Sequence, residues 1–305
     1  MPSNTEIRNV LVIGAAGNLG QIVLPGLLAS GAFTVSILTR ASTTASFPAS
    51  ATIIKADYDS EEDLVGAFTG QDAIVSTIGG AGFTQQRAFI DAAIKAGVKR
   101  FLPSELSSNT RSDAVRKLLP LFEAKQDILD YLKGKEGTGL TWTGLATGPM
   151  LDWGLKTGFL GFDLTARKAK IWDGGKTTFS ATNEADIAAA VVSVLQHPVE
   201  TANKYLYVET AAVSQKAILD SLEAATSSTW EVENVNTADS VALGRQLVAQ
   251  GDFTGNFLLV QASTWGNGQG LRQNFSVDEE LANSLLGLPK GDVHQTVRRV
   301  IQDIK

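Results

Sequence analysis

Two groups of residues in this chain could do chemistry: three glycines spaced three apart near the N-terminus, and a lysine standing where a helix should present a hydrophobe. The glycines follow the apolar run Val10-Leu11-Val12-Ile13 and sit within Gly14-Ala15-Ala16-Gly17-Asn18-Leu19-Gly20. That order reads as a buried strand, a tight turn and the start of a helix. Gly14 permits a turn that a Cβ would obstruct, Gly17 lets the backbone approach a pyrophosphate, and Gly20 lets the helix pack close to the strand. Phosphate oxygens would accept from the free N–H groups of the first helical turn, so Gly14, Ala16, Gly17, Asn18, Leu19 and Gly20 are candidate binding residues. A turn without a ligand would carry the same glycines, and the context has to decide.

The context is a βαβ unit. Gln21-Ile22-Val23 continues the helix, and Phe33-Thr34-Val35-Ser36-Ile37-Leu38 supplies a second strand, completing a dinucleotide-binding pattern about thirty residues long. An Asp or Glu at the end of that strand would favour a free ribose 2′-hydroxyl, but here the strand ends in Thr39-Arg40. Arg40 suits a 2′-phosphate, which its planar guanidinium can grip through two N–H donors. The implied cofactor is NADPH/NADP+. The alternative for Arg40 is an ordinary solvated strand-end arginine.

The lysine is Lys125. Leu118, Leu121, Phe122, Leu129 and Leu132 are spaced as the inward stripe of one helix, and the position between Phe122 and Leu129 falls to Lys125. Burial would disfavour the ammonium, lower its pKa and bring general acid or base work within reach near neutral pH. The alternative is a lysine that snorkels along its stem to water.

The elements that must position these residues alternate as a doubly wound sheet requires. Ala51–Lys55 reads as a third strand, Glu61–Phe68 as a short helix and Asp72–Thr77 as a fourth strand, with Thr77, Ile78 and Gly79 at its carboxyl end, where such sheets bind ligands. Helix Gln85–Ala96 ends at Gly97 as a left-handed cap. A fifth strand, Val98–Leu102, delivers Pro103, Ser104 and Glu105 to the same rim. Pro25 lies beyond the first turn of the first helix and should bend or shorten it. The fold class is therefore α/β, a Rossmann-type doubly wound parallel sheet with a smaller C-terminal substrate-binding lobe. Residues 1–150 are expected to form the NADP-binding domain and 151–305 mainly the lobe, with some segments returning to the sheet.

Composition excludes several classes. At 305 residues the chain can bury a large core. It has no cysteine, hence neither disulfides nor thiolate metal sites, and its two histidines, His197 and His294, are far apart. A net charge of −6 argues against a nucleic-acid partner. No segment reaches the roughly 18 uninterrupted apolar residues of a membrane span. The reading is a cytoplasmic protein, monomer or homodimer, with a small-molecule partner and no metal.

In these residues the chain resembles the atypical short-chain dehydrogenases of the NmrA-like and isoflavone reductase-like group, most closely its fungal members. The resemblance runs from Val10 to about Leu219. It rests on the glycine loop, Ala56-Asp57-Tyr58-Asp59, Arg100-Phe101-Leu102-Pro103-Ser104-Glu105 and Lys125 in Phe122-Glu123-Ala124-Lys125, extended by Asp186-Ile187-Ala188 and Asn203-Lys204-Tyr205-Leu206. It implies that NADPH is the reductant and that Lys125 is the catalytic residue and contacts the nicotinamide ribose. Asp57, Pro103, Ser104, Thr147, Gly148 and Pro149 are then expected beside the cofactor. The chain departs from plant members at Leu106 and in Ala146-Thr147-Gly148-Pro149-Met150-Leu151-Asp152-Trp153. The Tyr-x-x-x-Lys pair of ordinary short-chain dehydrogenases is absent at Lys125, whose fourth predecessor is Leu121, although Tyr131 and Lys135 match that spacing.

Beyond Trp142 the dinucleotide pattern stops. Leu155–Leu164 is expected to be a mobile or hydrophobic pocket wall, with Glu105, Met150, Trp153, Phe159 and Phe162 against substrate, although core packing explains the same aromatics. Ile171–Lys176 reads as a hairpin turn, Lys204–Glu209 as a strand, and residues 213–305 as largely helical. Trp265–Gly270 is a glycine-rich loop outside any βαβ unit, so not a second phosphate loop. These readings converge on an NADPH-dependent reductase. It would act on a small, aromatic or polyketide-like secondary metabolite carrying an enone, ketone or related acceptor, with Lys125 as general acid/base and Ser104 and Thr147 positioning the oxygen. An NADP(H)-sensing regulator without turnover, and a non-redox isomerase, dehydratase or cyclase, are the alternatives, since fold does not settle function.

Overall fold

The computed structural model describes residues 6–304, the side chain of Ala81 excepted. In chain order it runs β1 (Asn9–Ile13), α1 (Asn18–Ala29), β2 (Thr34–Thr39), β3 (Thr52–Lys55), α2 (Glu61–Phe68), β4 (Ala73–Ser76), α3 (Gln86–Lys95) and β5 (Arg100–Leu102). Next come α4 (Asp113–Leu118), α5 (Glu123–Gly134), β6 (Thr141–Ala146), α6 (Leu151–Lys156), β7 (Phe162–Asp163), β8 (Lys168–Trp172), β9 (Thr178–Ala181) and α7 (Glu184–Gln196). The last are β10 (Lys204–Tyr207), β11 (Ala211–Ser214), α8 (Gln215–Thr226), β12 (Glu231–Val235), α9 (Thr237–Ala249), α10 (Gly255–Trp265), α11 (Phe275–Asp278) and α12 (Val293–Asp303).

The chain divides into two units and crosses between them several times, with Ile187–Leu206 returning to the sheet unit from beyond residue 150 and Ser107–Glu123 leaving it before that point. The first comprises the chain through Leu106, Ala124–Leu145 and Ile187–Leu206; the second takes Ser107–Glu123, Ala146–Asp186 and Tyr207 onward. The first unit is built on a seven-stranded sheet in the order β10-β6-β5-β4-β1-β2-β3. β1 pairs parallel with β2 and β4, β2 with β3, β4 with β5 and β5 with β6. Val10 to Ile13 are wholly buried, as a parallel strand covered on both faces demands, whereas edge strand β3 exposes Thr52, Ile53 and Lys55. Helices close over the core that Ile13, Ile74, Phe89, Phe101, Leu129 and Trp142 build. The strand order reverses between β1 and β4, so the loops after those strands diverge and open the crevice expected of a Rossmann-type sheet.

The second unit packs a three-stranded sheet, β12-β8-β7, and a two-stranded one, β11-β9, with its helices. Its core gathers Leu151, Leu155, Phe162, Trp172, Phe179, Trp265, Val297 and Val300.

Several local expectations are corrected. α1 continues through Pro25 to Ala29 without shortening, because Pro25 faces solvent and water can serve the carbonyl it leaves unpaired. The stripe from Leu118 to Leu132 is not one helix: Pro120 ends α4 and starts a short 3₁₀ turn, Pro120–Phe122, ahead of α5. Leu118 and Leu121 are consequently only half-buried, whereas Phe122, Lys125, Ile128, Leu129 and Leu132 keep the inward face. Leu155–Leu164 serves in two ways: Leu155, Leu160 and Phe162 enter the core, as the packing alternative has it, while Gly158, Gly161 and Leu164 line a surface cavity. Ile171–Lys176 does not close a hairpin, since β8 and β9 belong to different sheets; Gly174 and Gly175, both at positive φ, turn the chain from one to the other. The expected helical C-terminal stretch contains β12, paired parallel with β8 so that Glu231 and Glu233 stand opposite Lys168 and Lys170.

Candidate functional site

The glycine loop earns its composition. Gly14 sits at φ +83°, and a Cβ there would lie 2.9 Å from the Thr77 carbonyl carbon. At Gly20 a Cβ would lie 2.3 Å from the Gly14 carbonyl oxygen and 2.5 Å from Ala15 Cα, so the close approach is of α1 to the loop that follows the strand. The Gly17 N–H donates to the Gly14 carbonyl at 2.9 Å, and α1 starts at Asn18 without a capping side chain or an acidic residue in its first turn. Ala16, Gly17 and Asn18 are exposed and Leu19 half-exposed. First-turn N–H groups held open in this way suit an anion.

Arg40 follows β2 and is exposed. Its positive charge reaches Tyr58, whose hydroxyl donates to the Leu38 carbonyl at 3.2 Å; burial pushes the Tyr58 phenol up while Arg40 opposes the shift. Asp57 is exposed and its carboxylate accepts from the Asp59 N–H at 3.0 Å, shaping the turn after β3. An exposed arginine just past β2, with no acid ending that strand, suits a phosphate rather than a ribose diol.

The ends of β4 and β5 are tied to each other. Thr77 is buried and its hydroxyl donates to the Ile13 carbonyl at 2.8 Å; Ile78 is half-buried and Gly79 exposed. The Ser104 hydroxyl donates to the Ile78 carbonyl at 2.7 Å, and its N–H donates to the Gln86 side-chain oxygen at 2.8 Å. Pro103 and Glu105 are buried beside it.

Lys125 arrives from α5 with only 4% exposure. Its Nζ donates to the Glu105 backbone carbonyl at 3.4 Å and lies 5.0 Å from the centre of the Phe83 ring. Burial pushes its ammonium below the ordinary lysine range, and the Glu105 charge pulls back against that shift. The Glu105 carboxylate, itself 1% exposed, accepts from the Tyr205 hydroxyl at 3.1 Å. Glu105 thus stands beside the lysine. A buried amine with a lowered pKa, an aromatic face and a nearby carboxylate is equipped to give or take a proton.

The remaining candidates lie in the second unit. The Thr147 and Gly148 N–H groups both donate to the Ser107 carbonyl at 3.1 Å, and the Thr147 hydroxyl donates to the Gly148 carbonyl at 3.0 Å. Gly148 is obligatory, because a Cβ there would lie 2.1 Å from the Ser180 carbonyl oxygen. The Pro149 carbonyl accepts from the Thr182 N–H at 3.0 Å. Met150 and Trp153 are half-buried. Trp153 and Phe159 have ring centres 5.9 Å apart, and Phe159 also meets Phe257 at 6.4 Å and Trp265 at 5.9 Å. Tyr131 and Lys135 are occupied elsewhere: both engage the Asp91 carboxylate, at 2.7 and 3.0 Å. Among the described residues no cluster of His, Asp and Glu could hold a metal, and no helix is long and apolar enough to cross a membrane.

Gln86, Phe83, Gly144 and Tyr205 escaped the sequence reading. The alternation Lys204-Tyr205-Leu206-Tyr207 marked a strand, but only the placement of β10 beside β6 brings Tyr205 to Glu105.

Comparison with known proteins gives the family and the fold. The NmrA-like family pattern matches residues 6–257. The chain is 35% identical to oxidoreductase aprR of Aspergillus flavus, over 96% of this chain and 98% of that protein. It is 30% identical to oxidoreductase poxI of Penicillium oxalicum, over 94% and 92%. Among solved structures, leucoanthocyanidin reductase from Vitis vinifera in a ternary complex superposes with a TM-score of 0.78 at 20% identity, covering 96% of this chain and 99% of that one. AtPrR2, solved with NADP+ and (+)pinoresinol, gives 0.77 at 20% identity, covering 97% and 99%.

Proposed function

The chain belongs to the NmrA-like family, and on that premise we propose that it is an NADPH-dependent reductase of a small, aromatic or polyketide-like molecule, with Lys125 as its general acid/base. One observation carries the reading: Lys125 is buried in the same unit as the phosphate loop, at the carboxyl end of the sheet, with its ammonium destabilised. The fungal relatives bear the name oxidoreductase, and AtPrR2 holds NADP+, which supports redox chemistry.

The residues present fit the cofactor. The open first turn of α1 and the forced glycines Gly14 and Gly20 suit a pyrophosphate, exposed Arg40 a 2′-phosphate, and Asp57, Thr77, Ile78, Gly79, Pro103 and Ser104 line the adjoining strand ends. NADPH, when bound, supplies the hydride. Lys125 gives its proton to the oxygen that becomes negative as a carbonyl or enone carbon is reduced, and recovers a proton from water. The hydroxyl proton of Ser104 is committed to the Ile78 carbonyl, which leaves Lys125 to donate. To the second unit, which holds Met150, Trp153 and Phe159, we assign substrate recognition.

The test uses NADPH deuterated at its transferable position, a panel of aromatic and polyketide-like ketones and enones, and mass spectrometry of the products. A deuterated product that disappears in Lys125→Met, with NADPH still bound, is the expected result. Undiminished turnover in Lys125→Met overturns the role of the lysine. Bound NADPH without transfer across the panel points to a regulator, and an altered product without deuterium to non-redox catalysis.

A further inference from the structure

The best-built feature around Lys125 is a chain of contacts that the proposed reaction does not itself require. Gly144, in β6, has no Cβ, and one added there would lie 2.5 Å from Tyr205 Cδ2 and 3.3 Å from Leu129 Cδ2. The space is instead filled by the Tyr205 ring, which comes from the neighbouring strand β10 and packs against the core. From there its hydroxyl reaches the Glu105 carboxylate at 3.1 Å, across 100 positions of sequence. Glu105 is fixed from its own side as well: its N–H donates to the Pro103 carbonyl at 2.8 Å, a tight turn after β5 that aims the Glu105 carbonyl at Lys125 Nζ. The Glu105 side chain is 1% exposed, as enclosed as the lysine it accompanies.

We propose that Glu105, held by Tyr205, is a positioning residue for Lys125: its carbonyl fixes the ammonium in place and its carboxylate keeps that ammonium charged for proton donation. This rests on the reductase reading above. The electrostatics are simple. Removing an ammonium from water favours the neutral amine, and a fixed carboxylate nearby favours the charged form. The Glu105 charge acts on Lys125, the Tyr205 hydroxyl donates to the Glu105 carboxylate, and Phe83 presents its ring to the ammonium. An acid catalyst must hold its proton until the substrate oxygen turns negative, and burial without the carboxylate would strip the lysine of it too early.

The experiment is a titration that needs no turnover. The full-length protein is labelled with ¹³C at lysine Cε and glutamate Cδ, and Lys125 and Glu105 are assigned from spectra of Lys125→Met and Glu105→Gln. In Glu105→Gln the Lys125 titration midpoint should fall by about one pH unit, a tenfold loss of proton affinity. In Tyr205→Phe, which retains the ring and its packing, the Glu105 carboxyl midpoint should rise because the charged form loses a donor. A Lys125 midpoint unmoved in folded Glu105→Gln overturns the proposal; should that variant fail to fold, a Glu105 midpoint unmoved in Tyr205→Phe does so. The deuterium experiment on the wild type is separate. No transfer there sinks the reductase reading, while an unresponsive titration sinks the positioning role even in an active enzyme.

Discussion

The two ends of β5 each bury a cation, and they treat it in opposite ways. At the start of the strand Arg100 is 1% exposed, and its guanidinium donates to the Thr141, Thr143 and Thr201 hydroxyls and the Pro198 carbonyl. These partners are neutral, and burial alone pushes the Arg100 pKa down to about 10, still charged at neutral pH. Past the end of the strand Lys125 is 4% exposed, with a 3.4 Å contact to the Glu105 carbonyl, an aromatic face and a carboxylate close enough to be felt. A planar guanidinium with five donors can be saturated by fixed oxygens and become a strut. An ammonium of lower pKa in looser geometry stays able to exchange its proton. Burial of a charge is therefore no mark of catalysis by itself; the partners decide.

The sharpest way to break this contrast is to remove each cation. Lys125→Met should lower turnover by about 10² to 10⁴, the usual worth of a general acid, with NADPH affinity within a few-fold of wild type in a fluorescence titration. Arg100→Leu should do the reverse, costing about 3 kcal/mol in urea unfolding because buried acceptors lose their donor, while turnover per folded molecule stays unchanged. Loss of turnover in folded Arg100→Leu, or unaltered stability, would erase the distinction between strut and acid.

Smaller effects sharpen it. Arg40→Ala should weaken NADPH binding by about ten- to a hundredfold, the loss of one or two charge-assisted hydrogen bonds, and leave NADH binding nearly unchanged. Gly144→Ala should cost about 1–3 kcal/mol by pushing the Tyr205 ring off β6, visible as a lower thermal midpoint. The smallest effect is a pH dependence. The folded Lys125 pKa lies below its unfolded value of 10.5, so between the two the unfolded chain binds more protons and stability rises with pH. Below the folded pKa the burial penalty is present in full. Lys125→Met should accordingly be more stable than wild type at neutral pH, with an advantage that shrinks as the medium becomes alkaline. An advantage that grows instead would place the lysine's folded pKa above 10.5.

Local chemistry made much of this molecule legible from the chain alone. The glycine loop was readable because Gly14 and Gly20 meet backbone within a few residues or across one sheet neighbour, contacts that short-range geometry already forbids to a Cβ. Arg40 could be placed because it ends a strand whose length and apolar run are written in the sequence. Lys125 stood out because helical spacing runs through it from Phe122 to Leu129 and Leu132, and that spacing held even though Pro120 cut the longer stripe in two.

Other features depend on strands and side chains meeting over distances that no local period encodes. Tyr205 reaches Glu105 only because β10 pairs with β6, Arg100 finds Thr201 only because the loop after α7 folds beneath β5 and β6, and Ile171–Lys176 joins two sheets rather than closing one hairpin. The sequence by itself determined the glycine turn that opens α1, the place of Arg40 just past β2 and the inward position of Lys125 on its helix, since each follows from backbone sterics or helical period. Tertiary structure decided which carboxylate faces that lysine and which cation is a strut, because a charge in the interior is governed by the partners that distant segments bring to it.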